Sequence, residues 1–454
     1  MGGQGGNGEQ INMKSVYYIT GVAALGGLLF GYDTAVISGA IGFLQTKFEL
    51  DATMKGWAAS SAIIGCIFGA MSAGWTSDRW GRKKVLIITA VLFGISAIGS
   101  AIPRNLTEFF IARFIGGLGV GAASMLSPLY ITELAPASIR GRLVSLYQLA
   151  IVLGINLIFF VNWLVQEMGD EAWNVEWGWR YMLGSETLPA LLFFTAMFFV
   201  PESPRWLVKE GREDEALGIL SDIDGPEKAK SILADIKEAL LEEKGTLKEL
   251  FSGRFKKAVV VGIVLAVFSQ FQGINAIMYY APEIFKEVGI PTHLAFLQTV
   301  IIGVINTIFT FIAILFVDKM GRKALLLGGG AGMGISLLVV GLCFKFGWTG
   351  IPLLVFIMAY TGSFAASFGP VTWVVISEIF PLKMRGIAMS VATFALWLAV
   401  YFVTLLFPIA LDDLGPANTF FAFFSMSVLA FIFVLLWVPE TKEKTLEEIE
   451  HHWH

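Results

Sequence analysis

The sequence predicts an all-α membrane protein: twelve transmembrane helices in two six-helix bundles, joined by a cytoplasmic helical linker. Three observations carry that prediction. Of the 454 residues, 56% are hydrophobic and only 15% are charged, against about 25% charged in an ordinary soluble domain. Twelve runs of about 20 mostly apolar residues recur along the chain, each long enough to cross a bilayer. Charged motifs repeat between the two halves at a nearly constant offset, as in many duplicated carriers. A chain of this length would otherwise divide into two or three soluble domains, but no set of soluble cores hides so much apolar surface. Disorder, collagen-like repeats and a disulfide scaffold are excluded by the same composition. The runs are continuous rather than ten-residue alternations, which excludes a barrel.

Residues 1–15 are rich in Gly, Asn and Gln with one Lys. They lack a basic region followed by a short apolar core, so no cleaved signal is expected there. Span 1 (16–44) carries Asp33 within its apolar run. Span 2 (57–77) ends at Asp78-Arg79-Trp80-Gly81-Arg82-Lys83, and span 3 (85–103) starts behind that motif. Span 4 (109–132) opens with Arg113 and is followed by Glu133. Span 5 (143–166) begins after Arg140, and span 6 (181–201) closes on Pro201-Glu202-Ser203. A linker at 203–255 holds two charged, amphipathic stretches near 213–222 and 229–243, expected as short helices on the membrane face. Span 7 (256–282) contains Gln270-Phe271-Gln272-Gly273-Ile274-Asn275. Span 8 (294–317) precedes Asp318-Lys319-Met320-Gly321-Arg322-Lys323. Spans 9 (324–346), 10 (351–377), 11 (386–409) and 12 (417–438) complete the second half, and a tail at 439–454 ends the chain. The domains are therefore 1–15, 16–202, 203–255, 256–438 and 439–454.

Lys and Arg orient the chain. Of 32 such residues, six fall in odd-numbered loops: Lys47, Lys55, Arg104, Arg180, Lys286 and Lys345. Arg113 lies within a span, and the other 25 sit in even-numbered loops or the termini. Both termini are expected in the cytoplasm. The net charge of −4 gives no footprint for nucleic acid. Cys66 and Cys343 each lie in an apolar run, as small core residues do. His293 stands alone, and His451, His452 and His454 sit in the tail, so no metal site is expected.

The halves share punctuation. Asp78–Lys83 recurs as 318–323, Glu133 and Arg140 recur as Glu378 and Arg385, and Pro201-Glu202 recurs as Pro439-Glu440. A positive-inside anchor explains the bases alone. Acids beside bases at matching helix ends point instead to a gate whose exposed pairs, worth about 0–1 kcal/mol each, bias two states without locking either.

Within the membrane, Asp33 and Arg113 each cost about 2.5–3.5 kcal/mol at a helix centre. Such residues pair or face a water path, so the two are expected to meet, as a proton switch or as a static ion pair. Glu186 is a third acid, placed by hydropathy nearer a helix end. Gln148, Gln270, Gln272, Asn275, Tyr279, Tyr280, Asn306, Trp373 and Trp397 are polar or aromatic at membrane depth. Amides donate and accept together, which suits sugar hydroxyls, and indoles suit the C–H face of a sugar ring. Singly, each also fits helix–helix packing. Gly273 and Pro282 can break span 7, and broken helices mark midplane sites. Gly65–Gly69 and Gly117–Gly121 have close-packing spacing. The Gly-rich run 328–332 lacks the Lys-Ser/Thr of a phosphate loop.

The motifs Gly31-Tyr32-Asp33-Thr34, Asp78–Lys83, Pro-Glu-Ser-Pro-Arg-Trp-Leu (201–207), Gln270–Asn275, Gly-Pro-Val-Thr-Trp (369–373) and Pro-Glu-Thr-Lys (439–442) are found in combination in one family. The chain resembles the sugar porter family of the major facilitator superfamily from Gly26 to Glu448, and residues 126–131, Ser185-Glu186 and 445–448 resemble its bacterial proton-coupled xylose carriers. The resemblance implies a major facilitator fold, alternating access, and proton-coupled import of D-xylose or a related pentose or hexose such as glucose. Facilitative uniport is the alternative, and a non-transporting sugar sensor a remoter one. By position, Phe30, Gln148, Gln270, Asn275, Tyr279, Asn306, Trp373 and Trp397 correspond to sugar-binding or sugar-surrounding residues. Asp33 and Arg113 correspond to the proton-coupling pair, and facilitative relatives carry Asn in place of Asp33. Asp78, Arg82, Glu133, Arg140, Glu202, Arg205, Arg322, Glu378 and Arg385 correspond to the cytoplasmic gate. No cofactor, metal, enzyme activity or nucleic acid is implied. The partners are a sugar, protons and the lipid bilayer, the chain working as a monomer in a bacterial inner membrane. Two departures stand in the expected sugar site: Ser269 and Leu396 replace amides. Gln272 is an added amide where relatives have small or apolar residues.

Overall fold

The computed structural model describes residues 12–136, 139–241, 246–252, 255–380 and 385–442. Among these, all regular structure is helical. Eleven spans are long and apolar enough to cross a membrane, from Met13–Phe48 to Pro416–Trp437. The twelfth, span 6, is present in two pieces, Trp179–Gly184 and Thr187–Met197. Sequence hydropathy reads it as one uninterrupted run. The break falls at Ser185, whose hydroxyl donates to the Met182 carbonyl at 2.6 Å and meets the Tyr32 hydroxyl at 2.7 Å. Glu186 and Pro189 follow at once, and a proline cannot supply the N–H that a continuous helix needs there.

Three other spans are interrupted. Span 1 divides into Met13–Ala35 and Ile37–Phe48, just past Asp33. Span 7 divides into Lys256–Phe271 and Ile274–Lys286 around Gly273, whose φ of 94° suits a residue without a Cβ. Span 10 divides into Ile351–Ala366 and Phe368–Ile379 at Ser367.

The spacing of small residues decides which helices touch. In spans 2 and 4, a Cβ built on Gly65, Gly69, Gly117 or Gly121 would run into the backbone of the facing helix. These glycines set the closest helix pair of the first half. The Gly-rich run of span 9 serves packing as well: Gly329 and Gly332 face Ser367 and Ser363 of span 10. Cys66 and Cys343 are buried free thiols.

The halves meet along span 2 against span 11, span 5 against span 8, and the second pieces of spans 1 and 7 against each other. The linker folds into helices Pro204–Lys209, Glu213–Asp224 and Pro226–Leu241 around a small core of Leu207, Val208 and Ala216. The Asn12 N–H donates to the Ile223 carbonyl at 3.0 Å, seating the linker against the start of span 1.

Candidate functional site

Asp33 and Arg113 meet. Span 1 stops being helical just beyond Asp33, and Arg113 reaches it from span 4. Arg113 Nη1 pairs with Asp33 Oδ1, and Nη2 donates to the Asp33 backbone carbonyl at 2.8 Å. The pair is buried, with Asp33 0% and Arg113 2% exposed. Gly116 keeps room for it, since a Cβ there would sit 2.9 Å from Asp33 Oδ2. Glu186 lies beside Asp33 and is 1% exposed. Hydropathy places that acid near a helix end, but the break in span 6 turns it inward. Among the described residues no N–H or O–H donates to Asp33 Oδ2 or Glu186 Oε1, Arg113 Nε has no acceptor, and the Asp33 and Glu186 carboxyls lie within reach of one another. Two acids and one base thus share a dry site with bonding capacity unused, an arrangement that is costly unless charge or protons can rearrange.

The candidate sugar face lies across both halves. Phe30 of span 1 and Trp397 of span 11 face each other at 5.6 Å between ring centroids. The break at Gly273 brings Gln270 and Asn275 together, and the Asn275 amide donates to Gln270 Oε1. Tyr279 reaches the Thr34 hydroxyl, one residue from Asp33. Its neighbour Tyr280 donates to the Thr404 carbonyl at 3.0 Å, at a kink in span 7. Asn306 is buried in span 8, while Gln148 and Trp373 are half-buried. Among the described residues no hydrogen bond joins Gln148, Asn306 or Trp373 to this group.

The added amide does not enlarge the site. Gln272 donates to the Phe268 carbonyl at 3.1 Å and accepts from the Ser427 hydroxyl at 2.9 Å, so it faces span 12. Its backbone carbonyl accepts from Tyr360 at 2.8 Å. Gln272 therefore holds the broken helix in place. Leu396 is buried beside Trp397.

The gate candidates form two matching clusters, each within its own half. Arg82 binds Glu133 through Nε at 3.0 Å and Nη2 at 3.1 Å, and Asp78 through Nη1 at 2.8 Å. Ser203 donates to Glu133 at 2.5 Å. Glu202 accepts the N–H groups of Arg82 and Lys83, both at 3.0 Å. In the second half Arg322 binds Glu378 at 2.9 Å, Thr441 donates to Glu378 at 2.5 Å, and Glu440 accepts the N–H groups of Arg322 and Lys323 at 3.0 Å. Arg140 donates to the Ala135 carbonyl at 3.4 Å. Arg205 is exposed, and among the described residues Arg385 Nε and Nη2 have no hydrogen-bond partner.

The two loop glutamates differ electrostatically. Burial pushes the Glu202 carboxyl up despite its backbone donors. Burial acts on Glu440 too, but N–H groups from Lys442, Arg322, Lys323 and Thr441 outweigh it and hold that carboxyl low. A carboxyl held low contributes stability above its unfolded pKa and loses it as pH falls; a raised one contributes most in acid and loses it as pH rises. Glu440→Gln is thus expected to cost most at neutral pH and less in acid, and Glu202→Gln to cost less as pH rises. Thermal unfolding in detergent between about pH 4 and 7 checks both trends.

At the end away from the termini the halves are bound together. Lys55 of span 2 donates to Glu283 of span 7 at 3.0 Å, and Lys286 meets the same carboxylate at 2.5 Å. Phe43 stacks on Phe296 at 5.9 Å, and Trp57 meets Tyr401 at 6.1 Å.

Duplicated, broken helices around a buried acid–base set and a polar–aromatic face define a multi-pass membrane transporter rather than an enzyme. The Sugar (and other) transporter family matches residues 19–453, and the chain belongs to it. It is 48% identical to the arabinose-proton symporter of Bacillus subtilis, covering 97% of this chain and 96% of that one. It is 45% identical to the D-xylose-proton symporter of Escherichia coli, covering 98% and 97%. Its structure resembles the inward open conformation of the E. coli xylose transporter XylE with a TM-score of 0.87, at 44% identity over 97% of this chain and all of that one.

Proposed function

We propose that this chain is a proton-coupled monosaccharide importer working by alternating access, with pentoses of the arabinose and xylose class as its substrates. The observation that carries the reading is the buried Asp33–Arg113 pair, with the second buried acid Glu186 beside it. A carboxylate held this way has one inexpensive means of changing its charge, which is to take up a proton. Protonation loosens Arg113 and lets the loaded carrier turn inward. Proton release restores the pair and returns the empty carrier.

Sugar binds between the halves, with Gln148, Gln270, Asn275, Tyr279 and Asn306 serving hydroxyls, and Phe30, Trp373 and Trp397 covering the ring. The contact of Tyr279 with Thr34 supports coupling of sugar to proton, because it joins the two sites side chain to side chain. Residues 16–202 and 256–438 rock as two bundles about the linker at 203–255. The termini lie in the cytoplasm of a bacterial cell and the chain works as a monomer in its plasma membrane, a reading supported by the Lys and Arg distribution. Asp78, Arg82, Glu133, Arg140, Glu202, Arg205, Arg322, Glu378 and Arg385 close the cytoplasmic end in the outward-facing state. With the gate clusters kept to their own halves and the far end bound, the geometry favours an inward-facing state.

Uptake of labelled D-xylose into proteoliposomes tests the reading. An inward proton gradient is expected to drive accumulation above the external concentration, and a protonophore to abolish it. Entry at one rate with and without the gradient sinks the coupling. Competition by unlabelled arabinose, xylose and glucose ranks the sugars.

A further inference from the structure

Ser269 lies in span 7 one turn after Ala266, and its hydroxyl donates to the Ala266 carbonyl at 2.6 Å. A hydroxyl carries one proton. Having given it to Ala266, Ser269 can only accept from its other neighbour. That neighbour is the side chain of Gln270, at 3.1 Å. The end of Gln270 facing Ser269 must therefore be its NH2, and its oxygen must face the other way. There it meets the Asn275 side chain, which must in turn present an NH2. The chain of bonds runs in one sense from Asn275 through Gln270 and Ser269 to a main-chain carbonyl that cannot be turned round. Three groups are left over: the Asn275 carbonyl as an acceptor, and the second N–H of Gln270 and of Asn275 as donors. Among the described residues no other hydrogen bond engages any of them.

We propose that Ser269 is a positioning residue for specificity: it fixes the sense of both amides, so that this face takes a hydroxyl that donates to Asn275 beside an oxygen that accepts from Gln270. A glutamine in place of Ser269 would carry both a donor and an acceptor, and so would allow either sense. The inference rests on the reading of Gln270 and Asn275 as sugar ligands. It assigns to the serine the choice of which hydroxyl pattern fits, without requiring that Ser269 touch the sugar.

The test uses D-xylose analogues in which each hydroxyl in turn is replaced by fluorine, which never donates a hydrogen bond. In competition against labelled xylose, the wild-type protein is expected to reject one analogue at least about tenfold relative to the others, the scale of one lost hydrogen bond in a dry site. Ser269→Ala frees the amides to turn, and the ratio is expected to fall below about threefold. Ser269→Thr keeps the hydroxyl and is expected to keep the ratio. Ser269→Cys, whose thiol is a weak donor and acceptor, should fall between, and stands in if the alanine variant does not assemble. A merely structural role would weaken all competitors in proportion and leave the ratio unchanged. That result, or equal competition by all analogues in the wild type, overturns the proposal while leaving sugar transport standing. Failure of the wild type to take up any sugar overturns the transport reading itself and the proposal with it.

Discussion

Asp33→Asn is expected to abolish gradient-driven accumulation while leaving sugar exchange running. Asparagine keeps the shape of the protonated acid and can never carry its charge. With Asp33 ionised and paired to Arg113, the site is held by a charge-assisted bond and by the Arg113 bond to the Asp33 carbonyl. The substituted amide offers Arg113 no opposite charge, so the carrier turns without waiting for a proton. One pH unit is worth about 1.4 kcal/mol, which supports roughly tenfold accumulation at a stoichiometry of one proton per sugar. The variant should instead stop at equal concentrations on both sides, with counterflow within several-fold of wild type. Removing one partner of a buried pair costs about 3–5 kcal/mol when the other charge is stranded. Here Glu186 stands ready as a second acid beside the same site, so the folded fraction in detergent should fall less than that. Persisting accumulation would show that Asp33 is not the coupling group and would direct attention to Glu186.

The charges at the centre of the protein are legible in the sequence because a membrane interior tolerates few of them. Asp33 and Arg113 stand out in any hydropathy scan, and the expense of burying either alone predicts that they meet. The repeated motifs at 78–83 and 318–323 likewise announce two related halves. Hydropathy reports depth but not direction, and that is where the residues mislead. Gln270 and Gln272 are about 200° apart around a helix, so only one can face the centre, and Gln272 turns to Ser427. Gln270 and Asn275 would lie about 140° apart on a straight helix; the left-handed Gly273 brings them together. Hydropathy undervalues Glu186 because an apolar run reads as a continuous helix. The short tract from Ser185 to Pro189 is the available signal for the break. The salt link between Lys55 and Glu283 joins residues 228 positions apart, and no local pattern in the sequence announces it.

That link carries the other large expected effect. Lys55 and Glu283 belong to opposite halves, so their bond forms only when the ends of spans 2 and 7 come together. Lys286, three residues along the same helix, adds charge to the cluster but does not cross it. The side chains are mostly hidden, with Lys55 and Glu283 13% and 14% exposed. Gly42 packs against the Glu283 carboxylate and the Lys286 amine, where a Cβ would collide with both. Glu283→Gln keeps the volume but strands two ammonium groups against each other. A fully buried pair broken in this way costs about 3–5 kcal/mol; allowing for partial access to water, about 2 kcal/mol, or roughly thirtyfold in the balance of states, is expected. The shift should favour the state open at the end away from the termini. A cysteine in place of Phe43 reports it: Phe43 is buried where it stacks on Phe296, and the native thiols are buried. Labelling of Phe43→Cys by an impermeant maleimide should accelerate by about tenfold or more in the Glu283→Gln background. Adding Lys55→Met removes one stranded charge and should restore part of the protection, since residues in one network do not act additively. Equal labelling rates in all three backgrounds would mean that the charge cluster does not hold the outer ends together. A full return to the wild-type rate in the double variant, which lacks the Lys55–Glu283 bond, would trace the effect of Glu283→Gln to the stranded Lys55 charge and show that the bond itself adds nothing to the latch.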